Sequence, residues 1–436
     1  MNFPESLEYL YNLGNEVTAM KLGLTSTEKL LAALGNPEKH FLKIQVAGTN
    51  GKGSTCAFLE AICLAAGIKV GLYTSPHLIS ITERIKINGE EISEEDFARH
   101  ATEVRKISEK LVESKELTAL PTFFEQVTAI ALAAFREAKV EIAILETGLG
   151  GRFDATTATN AEIVALTPID FDHQDILGNS LAEIASEKAA IIREDTTVVL
   201  ARQKYEAMNV ILERCAGVKV EPIFDNCRTE INAVETINGR MVATFITDVD
   251  LYHDVWLSLG GRHQVENACL AIMLVEVLNN NFDFNISKFE VVEGLETAHH
   301  RGRLEFYKGI LFDGAHNAAG AKALKDYLDE FIKQPITLVF GSMEDKDLRE
   351  IAEILFPKAE ILILTEPENP RSMKTRELTK FLPENFSNEK FLIAETVESA
   401  LKIARKVSSD KNLICITGSL YLVGEAQKLL NNKSEI

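Results

Sequence analysis

No stretch of the sequence approaches the roughly 18 uninterrupted apolar residues that a membrane-crossing helix needs, so no membrane span is expected. There is no CxxC pair. Cys56, Cys63, Cys215, Cys227, Cys269 and Cys415 are scattered, which argues against a zinc ribbon or a disulfide frame and for reduced thiols. Positive charge is also short: 46 lysines and arginines stand against 65 acids, a net charge of −19. Binding nucleic acid by counterion release needs a basic face, so no nucleic-acid partner is expected. Residues 1–14 carry acids and no basic cluster ahead of an apolar core, unlike a signal or transit peptide, and a cytoplasmic protein is expected. Repeats of solenoid period and low-complexity tracts are both missing. If the substrates are anions, positive charge must therefore be gathered locally, by lysines, arginines, helix N-termini and metal.

What is present is ordinary for a soluble enzyme: 46% hydrophobic and 25% charged residues. A chain of 436 residues exceeds what one core usually supports, so two domains are expected. Apolar runs at 42–47, 70–74, 141–146, 163–167 and 197–201 fit strands buried on both faces of a largely parallel sheet. Helices fit 54–66, 122–136 and 181–192 between them. Residues 218–258 alternate and contain Asn238-Gly239, a hairpin signal that points to a small antiparallel extension. A second series of strands is expected at 310–313, 336–341, 361–365, 391–394 and 413–417. The boundary is placed at 299–303, giving domains 1–298 and 299–436. The fold class is α/β, a P-loop-containing mostly parallel sheet followed by a smaller Rossmann-like α/β domain. Ligands of such folds gather at the carboxyl ends of the strands.

The strongest local signal is Gly48-Thr49-Asn50-Gly51-Lys52-Gly53-Ser54, after one expected strand and before one expected helix. Glycines let backbone N–H groups point at phosphate oxygens, the helix N-terminus adds partial positive charge, and Lys52 adds a full one. The loop departs from a strict Walker pattern, with Val46 in place of the first glycine and Gly53 between Lys52 and Ser54. The plain alternative is a glycine-rich turn without ligand.

This variant loop resembles that of the folylpolyglutamate synthases and related muramyl-peptide ligases, and the resemblance continues in order over residues 42–424. Its carriers are Tyr73-Thr74-Ser75-Pro76-His77-Leu78, Thr122-Phe123-Phe124-Glu125, the run from Glu146 to Thr156, Asp170-Phe171-Asp172-His173 and Glu187-Lys188-Ala189. Gly261-Arg262-His263 through Ala268, Gly302-Arg303-Leu304-Glu305, Asp313-Gly314-Ala315-His316-Asn317 and Thr417-Gly418-Ser419-Leu420 complete the series. Ala318, Ala190 and the stretch 156–160 depart from the family pattern without removing a chemical group the reaction needs.

The resemblance implies an ATP-dependent ligase that adds L-glutamate to a folate through an acyl phosphate, with dihydropteroate open as a second acceptor. Lys52, Glu146, His173 and Lys188 are the implied catalytic residues. Ser75, Glu146, His173 and a carbamylated Lys188 are the implied Mg²⁺ ligands. The loop from Gly48 to Ser54, with Asn267, Arg303, Asp313 and His316, is implied to hold ATP, and Phe124 and Asp154 to hold the folate. A monovalent cation such as K⁺ and a monomeric state are implied by the same analogy.

Each assignment has a plainer rival. Glu146 would otherwise pair with an arginine, Lys188 with Glu187 or Glu183, Asp313-Gly314 would be a simple turn, and Phe124 would be core. His299-His300 resembles a metal pair, but adjacent side chains usually diverge. A Mur-type ligase for another carboxylate is the nearest alternative function, although a lead of about 40 residues before the loop leaves little room for an extra domain of usual size. A nucleotide-hydrolysing switch protein is the more distant one, and it would not need Glu146, His173 and Lys188 together.

Overall fold

In a computed structural model of the chain, residues 1–14, 23–224, 226–234, 239–383, 386–387, 390–409 and 411–432 are described. The first large sheet has eight strands: β1 (Leu42–Ala47), β2 (Val70–Tyr73), β3 (Ile85–Ile87), β4 (Glu90–Glu91), β5 (Ile142–Glu146), β6 (Ile163–Leu166), β7 (Thr197–Leu200) and β8 (Ile223–Phe224). Their order is β4-β3-β2-β5-β1-β6-β7-β8. Only the β2–β3 and β3–β4 pairings at one edge are antiparallel. The central strands are buried along nearly their whole length, as their unbroken apolar runs require of strands covered on both faces. Register aligns Val46 with Glu146, so the phosphate loop after β1 and the carboxylate ending β5 emerge side by side.

The expected antiparallel extension is a three-stranded sheet of β9 (Arg228–Val234), β10 (Met241–Ile246) and β11 (Leu251–Trp256). Asn238 of the expected hairpin turn lies outside the described residues. The second large sheet comprises β12 (Glu305–Tyr307), β13 (Ile310–Phe312), β14 (Ile336–Phe340), β15 (Ile361–Thr365), β16 (Phe391–Ala394) and β17 (Leu413–Thr417). Its order is β12-β13-β17-β14-β15-β16, parallel except at β12. The two large sheets share no strand, yet one continuous apolar cluster runs from Ile44 and Phe58 under the first to Leu311, Leu324 and Phe340 under the second. That packing seats the carboxyl ends of both sheets against one cleft.

Among the described residues no helix is long and apolar enough to cross a membrane, and all six cysteines are buried and outside any disulfide. The expected helix at 181–192 ends early, at Ala189, where Ala190 and the chain beyond turn toward β7. Two short N-terminal helices, Phe3–Tyr11 and Thr25–Ala33, were not anticipated. The first begins with a capping box between Asn2 and Glu5, and Leu10, Leu30 and Leu31 bury one face of the pair.

Candidate functional site

The phosphate loop is built where β1 passes into the helix Lys52–Ala65. Gly51 takes φ +88°, and a Cβ there would lie 2.2 Å from Asn267 Oδ1. Only glycine permits both the left-handed backbone and this approach, which brings Asn267 from the helix His263–Asn281 onto the loop. Lys52 folds back and donates to the carbonyls of Gly48 at 3.2 Å and Thr49 at 3.1 Å. Lys188 donates to the same Gly48 carbonyl at 2.8 Å. Burial lowers the Lys188 ammonium to about 7, and the neighbouring Lys52 adds to the effect.

Neither of the plainer pairings of Lys188 forms. Glu187 binds Arg152 at 2.8 Å, while Glu183 caps the helix through Ser180. Glu146 likewise has no arginine partner: among the described residues no cation lies within ion-pair distance of it. Its Oε2 accepts from the Ser75 backbone N–H at 3.1 Å. Burial pushes its carboxyl above the usual range, with Lys52 opposing. His173 starts the short helix Gln174–Leu177 in a left-handed conformation, and burial lowers its imidazole to about 4, so it is neutral.

The second sheet supplies the opposite wall. Asn317 caps the helix Ala318–Phe331 through Oδ1, and its Nδ2 donates to Asn50 Oδ1 and Asp172 Oδ2, both at 3.1 Å. His316 Nδ1 lies 2.7 Å from the Gly314 carbonyl. A carbonyl only accepts, so Nδ1 carries the proton, and Nε2 faces Asp172 at 3.6 Å. Lys346, from the loop after β14, donates to Asp172 Oδ1 at 2.7 Å and lies 3.3 Å from His173 Nε2. Burial alone would raise the Asp172 carboxyl, but His316, Lys346 and His173 outweigh it and hold Asp172 well below the usual carboxylate range. Asp313 is buried and accepts from Leu304 and Ala315 backbone N–H groups. The guanidinium of Arg303 makes no hydrogen bond or ion pair among the described residues.

A cavity of about 330 Å³ is lined by the whole loop from Gly48 to Ser54 and by Ser75, Glu146, His173, Lys188, Asn267, Arg303, Asp313 and His316. All the residues expected to hold nucleotide or metal thus border one space. Phe124 and Asp154 line a neighbouring cavity of about 170 Å³, and Ser75, His173 and His316 border both. Phe124 lies 5.9 Å from the Tyr73 ring and opens onto the smaller cavity. Asp154 is held by its own turn. Its Oδ2 accepts from the Gly148 and Leu149 N–H groups and its Oδ1 from the Thr156 N–H and hydroxyl. These four hydrogen bonds shape the glycine-rich turn, and the same side chain borders the smaller cavity.

Lys346, Arg371 and Tyr421 are among the residues of the smaller cavity that escaped the sequence reading. Arg371 donates to the Tyr421 hydroxyl at 3.0 Å. Lys346 and Arg371 follow the carboxyl ends of β14 and β15, so the general rule for parallel sheets could have marked them. His299 and His300 diverge as expected: His300 Nδ1 turns to Ser54 Oγ at 3.4 Å, while His299 is exposed.

The donor set suits a hard divalent cation in part. Glu146 offers a buried carboxylate without a counterion, Ser75 a hydroxyl and His173 a neutral ring nitrogen. Among the described residues, no group of three His, Cys, Asp or Glu side chains could hold a metal by itself. Mg²⁺ characteristically takes one or two carboxylates and completes its shell with substrate phosphates and water.

Residues 46–275 match the Mur ligase middle domain, and residues 307–429 match the C-terminal domain of dihydrofolate synthetase. A dihydrofolate synthase/folylpolyglutamate synthase of Bacillus subtilis is 35% identical over 419 residues, covering 94% of this chain and 95% of that one. A protein of the same description from Mycobacterium tuberculosis is 31% identical, covering 97% and 93%. The solved structure of M. tuberculosis folylpolyglutamate synthase complexed with ADP superposes with a TM-score of 0.91 at 30% identity, covering 99% and 98%. E. coli FolC in complex with DHPP and ADP superposes at 0.86 with 26% identity, covering 100% and 99%.

Proposed function

This chain belongs to the dihydrofolate synthase/folylpolyglutamate synthase family, and from that premise we infer how its cleft works. It is an ATP-dependent ligase that joins L-glutamate to a folate. The observation that carries the mechanism is the meeting of two cavities at Ser75, His173 and His316. We assign the larger to ATP and the smaller to the acid and the incoming amino acid.

An amide cannot form from a carboxylate in water without a better leaving group, so the γ-phosphoryl group moves to the folate carboxylate oxygen. The amino nitrogen of glutamate attacks the acyl carbon, the bond to the phosphate oxygen breaks, and ADP, phosphate and the amide leave. The protein's task is positioning and charge neutralisation. The N–H groups from Gly48 to Ser54 and the Lys52 ammonium hold the phosphates. Arg303, without a hydrogen-bond or ion-pair partner among the described residues and bordering the same space, adds positive charge where the transferred group departs. Asn267 and Asp313 orient the nucleoside.

Ser75, Glu146 and His173, with Lys188 if carbamylated, would hold Mg²⁺. When bound, the ion neutralises phosphate charge. A buried Lys188 whose ammonium is lowered to about 7 is largely uncharged in mildly alkaline solution, and the uncharged amine is the form that adds to carbon dioxide. Phe124 supplies an aromatic face for the pterin, with Asp154 acting through the loop it organises. Lys346, Arg371 and His316 place cationic and donor groups around the point where the glutamate carboxylates must lie. We also place the domain boundary at 299–303, between β11 and β12, and expect a cytoplasmic monomer.

Purified protein, ATP, Mg²⁺ and L-glutamate, with tetrahydrofolate in one tube and dihydropteroate in another, test this reading by product mass. Glutamate addition in both tubes marks a bifunctional enzyme, and addition to tetrahydrofolate alone marks a dedicated polyglutamate synthase. ATP hydrolysis without addition in either would overturn the substrate assignment.

A further inference from the structure

A third cavity, of about 600 Å³, adjoins the segment 299–305 and holds no residue of the phosphate loop. It shares only His300 and Arg303 with the nucleotide cavity. Its charged lining is Arg240, Arg301 and Arg303 against a single carboxylate, Glu305, with the titratable His299 beside them. In a chain of net charge −19, three guanidinium groups around one space form a local inversion of sign.

These arginines are poorly satisfied from within the protein. Glu305 spends its Oε2 on the Gly302 N–H at 2.7 Å and the Gln427 amide at 2.8 Å, and it pairs with none of them. Arg240 makes one hydrogen bond, from Nε to the Leu257 carbonyl at 3.1 Å; among the described residues its terminal nitrogens have no partner. Among the described residues Arg303 has no hydrogen-bond or ion-pair partner. Arg301 reaches the Gln427 amide oxygen at 3.2 Å and Glu83 only at 3.6 Å. Arg240, Arg301 and Arg303 are all partly shielded from solvent. Removing guanidinium groups from water without matching carboxylates is unfavourable unless another anion compensates. Their forked N–H groups match phosphate and carboxylate oxygens two at a time.

We propose that this cavity binds a compact polyvalent anion, bearing phosphate or clustered carboxylate groups, at a site separate from the ATP cleft. Arg240, just before β10, and Arg301, in the segment 299–303, both line it. Gln427, buried and bonded to both Arg301 and Glu305, forms part of the wall. Because Arg303 faces both spaces, the anion and the nucleotide meet across a single guanidinium.

The test is calorimetry on the whole protein under saturating ADP at low salt, with pyrophosphate as probe in one arm and tri-γ-L-glutamate in the other. At least one probe should bind with 1:1 stoichiometry, and the tighter one identifies the phosphate or the carboxylate source. Arg240→Ala should weaken that binding about tenfold or more, the loss expected of one charge-assisted contact, while kcat and Tm stay unchanged. Asn431→Asp, which sets a carboxylate at the cavity wall and keeps the acceptor for the Tyr307 hydroxyl, should weaken it as well and serves if Arg240→Ala fails to fold. Raising the salt should erode the affinity. No binding by either probe overturns the proposal. So does binding that survives both substitutions unchanged, which would put the probe on the phosphate loop.

Discussion

Asp172→Asn tests the contact that joins the two halves of the cleft. The carboxylate accepts from Lys346 at 2.7 Å and from Asn317 at 3.1 Å and faces His316 at 3.6 Å. The Lys346 and Asp172 side chains are only 8% and 10% exposed, so solvent screens little of the interaction. At an effective dielectric constant near 20, unit charges at this separation attract by about 6 kcal/mol. Desolvation offsets part of that, and breaking one partner of a buried pair typically costs about 3–5 kcal/mol. Asparagine keeps one acceptor and recovers about 1 kcal/mol. The remaining loss of about 2–4 kcal/mol corresponds to a fall of roughly 30- to 1,000-fold in kcat/KM for L-glutamate, at about 1.4 kcal/mol per tenfold.

Steady-state kinetics at saturating ATP and folate read this directly, and Tm should fall by a few degrees. The Asp172 carboxyl is held below its unfolded value, so its stabilisation is complete above the ordinary carboxylate range and is lost only as pH falls through the lower, folded value. The penalty should therefore be flat from about pH 6 to pH 9. A variant within threefold of wild type, or a penalty that varies across that window, would refute the idea that this pair holds the cleft together.

Gly148→Ala would place a Cβ 2.6 Å from Phe124 Cζ; KM for the folate should rise about tenfold, as for a lost aromatic contact of about 1.4 kcal/mol, with KM for ATP unchanged. Lys188→Ala should abolish ligation, with partial rescue by added acetate, and ¹³C-bicarbonate should give wild type a carbamate resonance. Because the amine is depressed to about 7, that resonance should weaken as pH falls below it; its absence from active enzyme refutes the carbamate. Glu60 is buried, its Oε1 lacks a partner and its Oε2 lies 3.9 Å from Lys86. Burial raises its carboxyl, so the group stabilises the fold only in acid and penalises it once pH exceeds the raised value. Glu60→Gln should therefore stabilise by about 1 kcal/mol at pH 8 and by nothing at pH 4, read as Tm at the two values.

The sheets were legible because buried parallel strands are written as unbroken apolar runs: 42–47, 361–365, 391–394 and 413–417 coincide with β1, β15, β16 and β17. The phosphate loop was legible because its glycines answer a local backbone requirement. The part Asp154 plays in its own turn was not legible, because a motif states which residue is present, whereas its four hydrogen bonds depend on how the turn 148–156 closes on itself. Lys346 and Arg371 were missed because the chain brings them to the cleft from loops 174 residues and more beyond Asp172, and no local pattern records that apposition. Lys188 was legible only through the family. Its depressed ammonium comes from burial against the phosphate loop, which periodicity cannot express.

The central claim is that the folate carboxylate oxygen is phosphorylated before the amine attacks, and oxygen tracing tests it most directly. A folate carrying ¹⁸O in its terminal carboxylate is turned over with ATP, Mg²⁺ and L-glutamate, and the released phosphate is analysed by mass. An acyl phosphate requires one ¹⁸O atom to leave with each phosphate, in step with amide formed. Phosphate free of label, alongside normal amide yield, would contradict the mechanism.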